Sequence, residues 1–212
     1  MAFVCKLQLV LQVVEAVVDE IRSAGLVQLE VSARHVHLDK ECVEALFGRG
    51  YQLTHVRELS QPGQYLEQER VDVIGPKGTF KNVAVLGPER KHVQVEVSFS
   101  DAFALGINPP IRQSGDTKGS ASVKLVGPKG EITIDEGAIV ALRHVHMTPE
   151  DAERLGLVDN QVVSVEALTD RRTIFPETVI RVSPNFRTRM HVDVDEAGAA
   201  HIAGFALGRI IK

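Results

Sequence analysis

Cysteine is scarce in this chain of 212 residues: there are two, Cys5 and Cys42, and they form no Cys-x-x-Cys pair. That excludes a disulfide framework and a thiolate-built metal site, and it fits a reducing cytosol. A chain of this length buries about 70% of its unfolded surface and needs no such framework to form a core. No apolar run approaches the roughly 18 residues of a membrane span, and the N-terminus lacks the pattern of a secretory signal. Basic excess is missing too, since 24 Lys and Arg stand against 28 Asp and Glu for a formal charge of −4. Nucleic acid and anionic membrane are therefore not expected as partners. Nor is there a nucleotide phosphate loop, because the Gly-Pro-Lys-Gly segments at 75–78 and 127–130 lack the glycine spacing and the Lys-Ser/Thr pair such a loop needs.

What is present is an ordinary globular composition arranged mainly as short β runs. From Phe3 to Ala24, Leu7, Val10, Leu11, Val14, Val17, Val18 and Ile21 recur at helical spacing, and Gly25 stops the pattern. This segment reads either as a helix packed on the domain or as a docking helix that lays its apolar face on a partner. Beyond Leu29, runs such as Val71-Asp72-Val73-Ile74, Val83-Ala84-Val85-Leu86 and Val93-Gln94-Val95-Glu96-Val97 alternate with Gly and Pro turns, which favours small barrels over long crossover helices.

An internal duplication organises the rest. Ala33-Arg34-His35-Val36-His37-Leu38 recurs 109 residues later as Leu142-Arg143-His144-Val145-His146-Met147. Each copy leads into a capped helix: Asp39 caps one that ends at Gly48, and Thr148 caps another that has Pro149 at its first position and ends at Gly156. A weaker match aligns Val95–Ala102 with Met190–Ala197 and pairs Glu96 with His191. The fold class expected is mainly β with short helices: an N-terminal amphipathic helix over 1–25 and two related β-barrel domains over 26–108 and 109–212. The boundary is placed near Asn108-Pro109-Pro110.

His-x-His carries chemistry on a strand, where side chains at i and i+2 share a face; on a helix they would diverge. Val31, Ala33, His35 and His37 are expected on one face of one strand. Two imidazoles and a third ligand suit a divalent ion with an open position, and each repeat offers a trio: His35, His37 and Glu96 in the first, His144, His146 and His191 in the second. Arg34 and Arg143 point to the opposite face and read as structural salt-bridge donors. Arg90 lies in the turn that feeds the Glu96 strand, so its guanidinium is a candidate for holding an oxyanion. His55, His92 and His201 lack such partners and read as surface or structural residues. Cys42 reads as a buried core thiol.

Taken in order, His35-Val36-His37, Gln61-Pro62-Gly63-Gln64-Tyr65, Gly75-Pro76-Lys77-Gly78, Gly87-Pro88 with Arg90, Gln94-Val95-Glu96, Ser114-Gly115-Asp116 and Arg143-His144-Val145-His146-Met147 resemble the PduL-type phosphate propanoyltransferase (phosphotransacylase) family from about Val31 to Ala203. The resemblance implies two β-barrel domains with a dinuclear zinc site between them. It also implies two zinc ions per chain on the six residues above, and acyl transfer between coenzyme A and inorganic phosphate. It assigns phosphate binding to Arg90, matches Ser114 to a serine near the site, and suggests that residues 1–25 enter a bacterial microcompartment through its shell or core proteins. His92 stands where the family carries a small hydroxyl residue. Two rivals stay open: a metal-dependent hydrolase on the same ligands, and a zinc-stabilised shell-associated protein without catalysis. Acyl length, metal identity and homo-oligomerisation are not set by the sequence.

Overall fold

The computed structural model describes residues 2–212, with side chains placed for Gln8 and from Val10 onward; the Cys5 and Leu7 side chains lie outside the described residues. In chain order the elements are α1 (Ala2–Ser23), β1 (Leu26–Ser32), β2 (His35–His37), α2 (Lys40–Phe47), β3 (His55–Glu58), β4 (Tyr65–Ile74), β5 (Thr79–Gly87), β6 (Gln94–Glu96), α3 (Phe99–Leu105), β7 (Ile111–Arg112), β8 (Ala121–Val126), β9 (Glu131–Ala141), β10 (His144–Met147), α4 (Pro149–Leu155), β11 (Val162–Ala167), β12 (Thr173–Val182), β13 (Arg189–Asp193), α5 (Val194–Ala199) and β14 (Ala206–Ile211). They form two compact units, each built on a closed six-stranded barrel.

In the first unit, Val31–Leu142 with Asp193–Glu196, the ring runs β4-β5-β2-β6-β9-β8 and returns to β4. In the second unit, which takes the chain up to Glu30, Arg143–Val192 and Ala197–Lys212, the ring is β1-β13-β10-β12-β11-β14. Both expected barrels are present, but the boundary near Asn108–Pro110 is corrected. That proline pair separates only α3 from the short β7, whereas β8 and β9 belong to the first barrel. Without them β4 and β6 would be left as open edges, which unpaired backbone groups penalise. The handover comes at Arg143, and β1 joins the second barrel by pairing with β14, Leu26 opposite Arg209.

The duplication is preserved in register. β2 runs antiparallel to β6 with His35 opposite Glu96, and β10 runs antiparallel to β13 with His144 opposite His191. Each His-x-His strand also has a parallel neighbour, β5 in one barrel and β12 in the other. The helices that follow are capped as their sequences demand: the Asp39 carboxylate accepts from Cys42 N–H, the Thr148 hydroxyl accepts from Asp151 N–H, and Gly48 and Gly156 end the two helices. One expectation needs amendment, because Val31 to His37 is not one strand; the chain breaks at Ala33–Arg34 between β1 and β2.

Strand alternation sets which face meets which core. Val36 and Val95 are fully buried in the first barrel with Val43, Leu46, Leu105 and Leu125, so His35, His37 and Glu96 project from the opposite face of their strands. Val145, Met147, Met190 and Val192 do the same for the second barrel. The two Gly-Pro-Lys-Gly turns serve the fold: Lys77 N–H donates to Leu105 O at 2.9 Å and Lys129 N–H to Leu46 O at 3.0 Å, satisfying carbonyls at the ends of α3 and α2. On α1, Val10, Leu11, Val14, Val17 and Val18 are exposed. Among the described residues no helix is long and apolar enough to cross a membrane.

Candidate active site

The short strands β2 and β6 bring His35, His37 and Glu96 together, with their ligand atoms all within 4.8 Å of one another. Backbone carbonyls fix the tautomers. His35 Nδ1 lies 2.8 Å from Ala33 O and His37 Nδ1 lies 3.0 Å from Leu86 O. A carbonyl only accepts, so both Nδ1 atoms carry the proton and both Nε2 lone pairs point inward. Those Nε2 atoms are 3.2 Å apart, and Glu96 Oε2 is 3.5 Å from that of His35. Two lone pairs at this distance repel unless a cation or a proton lies between them. Tetrahedral zinc with Zn–N bonds near 2.05 Å requires an N···N separation of about 3.3 Å, so this donor set fits a divalent ion.

Electrostatics agree. Burial disfavours a charged Glu96, yet the charge and hydrogen bond of His35, with the charge of Arg90, outweigh it and hold the carboxyl well below the usual carboxylate range. His35 is raised because Glu96 overcomes its burial, while burial, the His35 charge and Arg90 hold His37 well below its ordinary value. The pocket is therefore built around negative charge on Glu96 and a neutral His37.

A hydrogen-bond network fixes Glu96 from behind. Oε1 accepts from Gln94 Nε2 at 2.6 Å and from the Ser114 hydroxyl at 3.0 Å, leaving Oε2 for the imidazoles. Gln94 Nε2 also reaches Ser114 Oγ at 2.9 Å, and Gln94 Oε1 accepts Gly115 N–H at 2.7 Å. Arg90 Nη1 donates to Ser114 Oγ at 3.2 Å, and its backbone N–H is anchored on Leu38 O at 2.8 Å. Arg90 and Ser114 are thus joined to the Glu96 carboxylate by a chain of two hydrogen bonds.

In the second unit, β10 and β13 gather His144, His146 and His191, with ring centroids 4.5, 5.3 and 5.0 Å apart for the pairs 144–146, 144–191 and 146–191. Glu30 of β1 places Oε2 3.7 Å from His191 Nε2, and Phe186 packs 4.2 Å from the His146 ring. Arg34 behaves as a structural donor, binding Asp101 Oδ1 through Nε at 2.9 Å and Nη2 at 2.6 Å while lying over Phe80. Among the other histidines, His92 and His201 are exposed, but His55 is bound to the buried Glu67.

Three contributors are invisible to the search for metal-type residues. Gln94 stands two positions before Glu96, so strand period alone puts it on the same face. Glu30 and Phe186 come from segments distant in sequence, and no local pattern points to either.

A model of the phosphate propanoyltransferase family matches residues 28–203. Proteins named phosphate propanoyltransferase are similar over most of their length. That of Clostridioides difficile (strain 630) is 46% identical over 201 residues, 95% of this chain and 96% of that protein. That of Listeria monocytogenes (EGD-e) is 47% identical over 205 residues, covering 95% and 96%. That of Thermotoga maritima is 52% identical over 171 residues, covering 80% and 81%. With this coverage joined to the barrel architecture and the twice-built His-x-His strands, the chain belongs to the phosphate propanoyltransferase family.

Proposed function

We propose that the protein transfers a short acyl group, propionyl or acetyl, between coenzyme A and inorganic phosphate, using two zinc centres, one on each barrel. His35, His37 and Glu96 would hold one ion, and His144, His146 and His191 the other. The observation that carries this reading is the inward-facing Nε2 pair at 3.2 Å beside a carboxylate whose second oxygen is already hydrogen-bonded. When bound, the metal supplies a Lewis acid for the thioester carbonyl oxygen and for the departing sulfur.

The remaining work falls to the chain's own groups. Arg90 binds phosphate through its guanidinium and holds one oxygen toward the carbonyl carbon, which lowers the entropic barrier and offsets repulsion between the anions. That oxygen forms the new C–O bond as the C–S bond breaks, giving acyl phosphate and CoA thiolate, which takes a proton from solvent. Ser114, hydrogen-bonded to Arg90, orients the guanidinium while its own hydroxyl donates to the Glu96 carboxylate. No acyl-enzyme is needed, and Cys42 is unsuited to forming one: it is buried, and burial with Asp39 beside it pushes the thiol up to about 12.

The test is release of CoA thiol from propionyl-CoA with and without phosphate. Phosphate-dependent release supports transfer; phosphate-independent release would favour hydrolysis, and no release a non-catalytic role. We further propose that α1 docks on a microcompartment shell protein through Val10, Leu11, Val14, Val17 and Val18, which are exposed in the chain. Deleting residues 1–23 should then spare turnover and abolish co-localisation, whereas loss of folding would make α1 structural.

A further inference from the structure

Outside the site, the first barrel holds a carboxylate with no place in the reaction. Glu67 on β4 is fully buried, and both its oxygens accept from His55 Nδ1, at 2.9 and 2.7 Å. His55 is about half exposed and stacks on Tyr65, centroids 4.1 Å apart. Burying a carboxylate is costly unless it is paired and hydrogen-bonded, and the His55 N–H is that partner here. Its position is unusual: a Cβ built on Gly87 would collide with Glu67 Oε1, so the carboxylate fills the notch that only glycine leaves.

Gly87 connects two parts of the site. Its predecessor, Leu86, offers the carbonyl that fixes the His37 tautomer. Its successors, Pro88 and Glu89, form the turn that delivers Arg90. Across the hairpin, Leu86 pairs with Leu66 and Gly87 with Tyr65, the two residues that precede Glu67. We propose that Glu67, clamped by His55, is a positioning residue: seated against Gly87, it sets the Leu86 carbonyl behind His37 and the origin of the Arg90 turn. The inference rests on the acyl-transfer reading for its phosphate readout and on the metal-site reading for its zinc readout.

The experiment compares Glu67→Ala, Glu67→Gln and His55→Phe with the parent protein in three measurements: zinc affinity by chelator competition, KM for phosphate against kcat, and thermal melting. Outer-shell partners of metal-bound histidines typically control affinity or activity by 10- to 100-fold. Glu67→Ala is accordingly expected to weaken zinc binding and raise the phosphate KM about 10-fold each, while kcat per zinc-loaded chain changes less than about 3-fold. Glu67→Gln fills the notch and still accepts from His55, so both quantities should return to within about 3-fold of the parent. Parental zinc affinity and KM in Glu67→Ala, with only the melting temperature lowered, would overturn the proposal. Should Glu67→Ala fail to fold, His55→Phe decides: it keeps the stacked ring and withdraws the N–H, and unchanged zinc affinity and KM would be equally fatal. Absence of phosphate-dependent thiol release by the parent protein would instead refute the acyl-transfer reading, and the zinc competition would still judge Glu67.

Discussion

Leucine has nearly the volume of glutamine, so Gln94→Leu fills the same buried space while withdrawing three hydrogen bonds. The bond to the ionised Glu96 is charge-assisted and contributes about 1.5–3 kcal/mol, and the neutral bond to Ser114 about 1 kcal/mol. Gly115 is exposed and its N–H can turn to water, so its loss adds little. Added apolar burial returns roughly 1 kcal/mol. The net cost of about 1.5–3 kcal/mol corresponds, at this chain length, to a melting temperature lower by about 3–12 °C. Glu96 would keep only the Ser114 bond on Oε1 and could rotate, so zinc affinity should fall by about tenfold. Far-UV circular dichroism during heating gives the first quantity and chelator competition the second. A parental melting temperature with parental zinc affinity would show that this network does not hold the carboxylate.

Removing the guanidinium in Arg90→Ala should raise the KM for phosphate steeply while leaving zinc content intact by elemental analysis; unchanged phosphate kinetics would reject its assigned role. Cys42 should resist alkylation at pH 8 in the folded protein and react on denaturation, since a thiol pushed up to about 12 is almost wholly protonated there; mass mapping of the modified peptide checks this, and rapid native labelling would contradict it. Zinc affinity should rise with pH through the titration of His35. Glu96 raises that group above its ordinary value, so below it the ion must displace a proton, and above it none; a pH-independent affinity between pH 5 and 8 would refute the assignment of His35 as a ligand.

Much of the fold was legible because the chain wrote it twice. The repeated Arg-His-Val-His, each followed by its cap and helix, marked β2–α2 and β10–α4, and the weaker match aligned Glu96 with His191, which the structure sets in equivalent register opposite His35 and His144. The domain boundary was not legible. Pro109 and Pro110 break local structure, but barrel closure is decided by pairing at long range, and β8 and β9 return to β4 and β6 across that break. The metal-type residues stood out because few side chains bind cations and their spacing matched a strand. Gln94 did not stand out, since an amide has meaning only once its partners Glu96, Ser114 and Gly115 are in place. Glu67 carries no signal in the sequence for the same reason: its significance lies in the missing Cβ of Gly87.

Zinc stoichiometry bears most directly on the central claim that each barrel carries a metal centre. Metal-stripped parent protein, His37→Ala and His144→Ala should be titrated with zinc under identical conditions. Two tight equivalents in the parent and one in each variant are expected. No tight binding by the parent, or two equivalents retained in either variant, would contradict it.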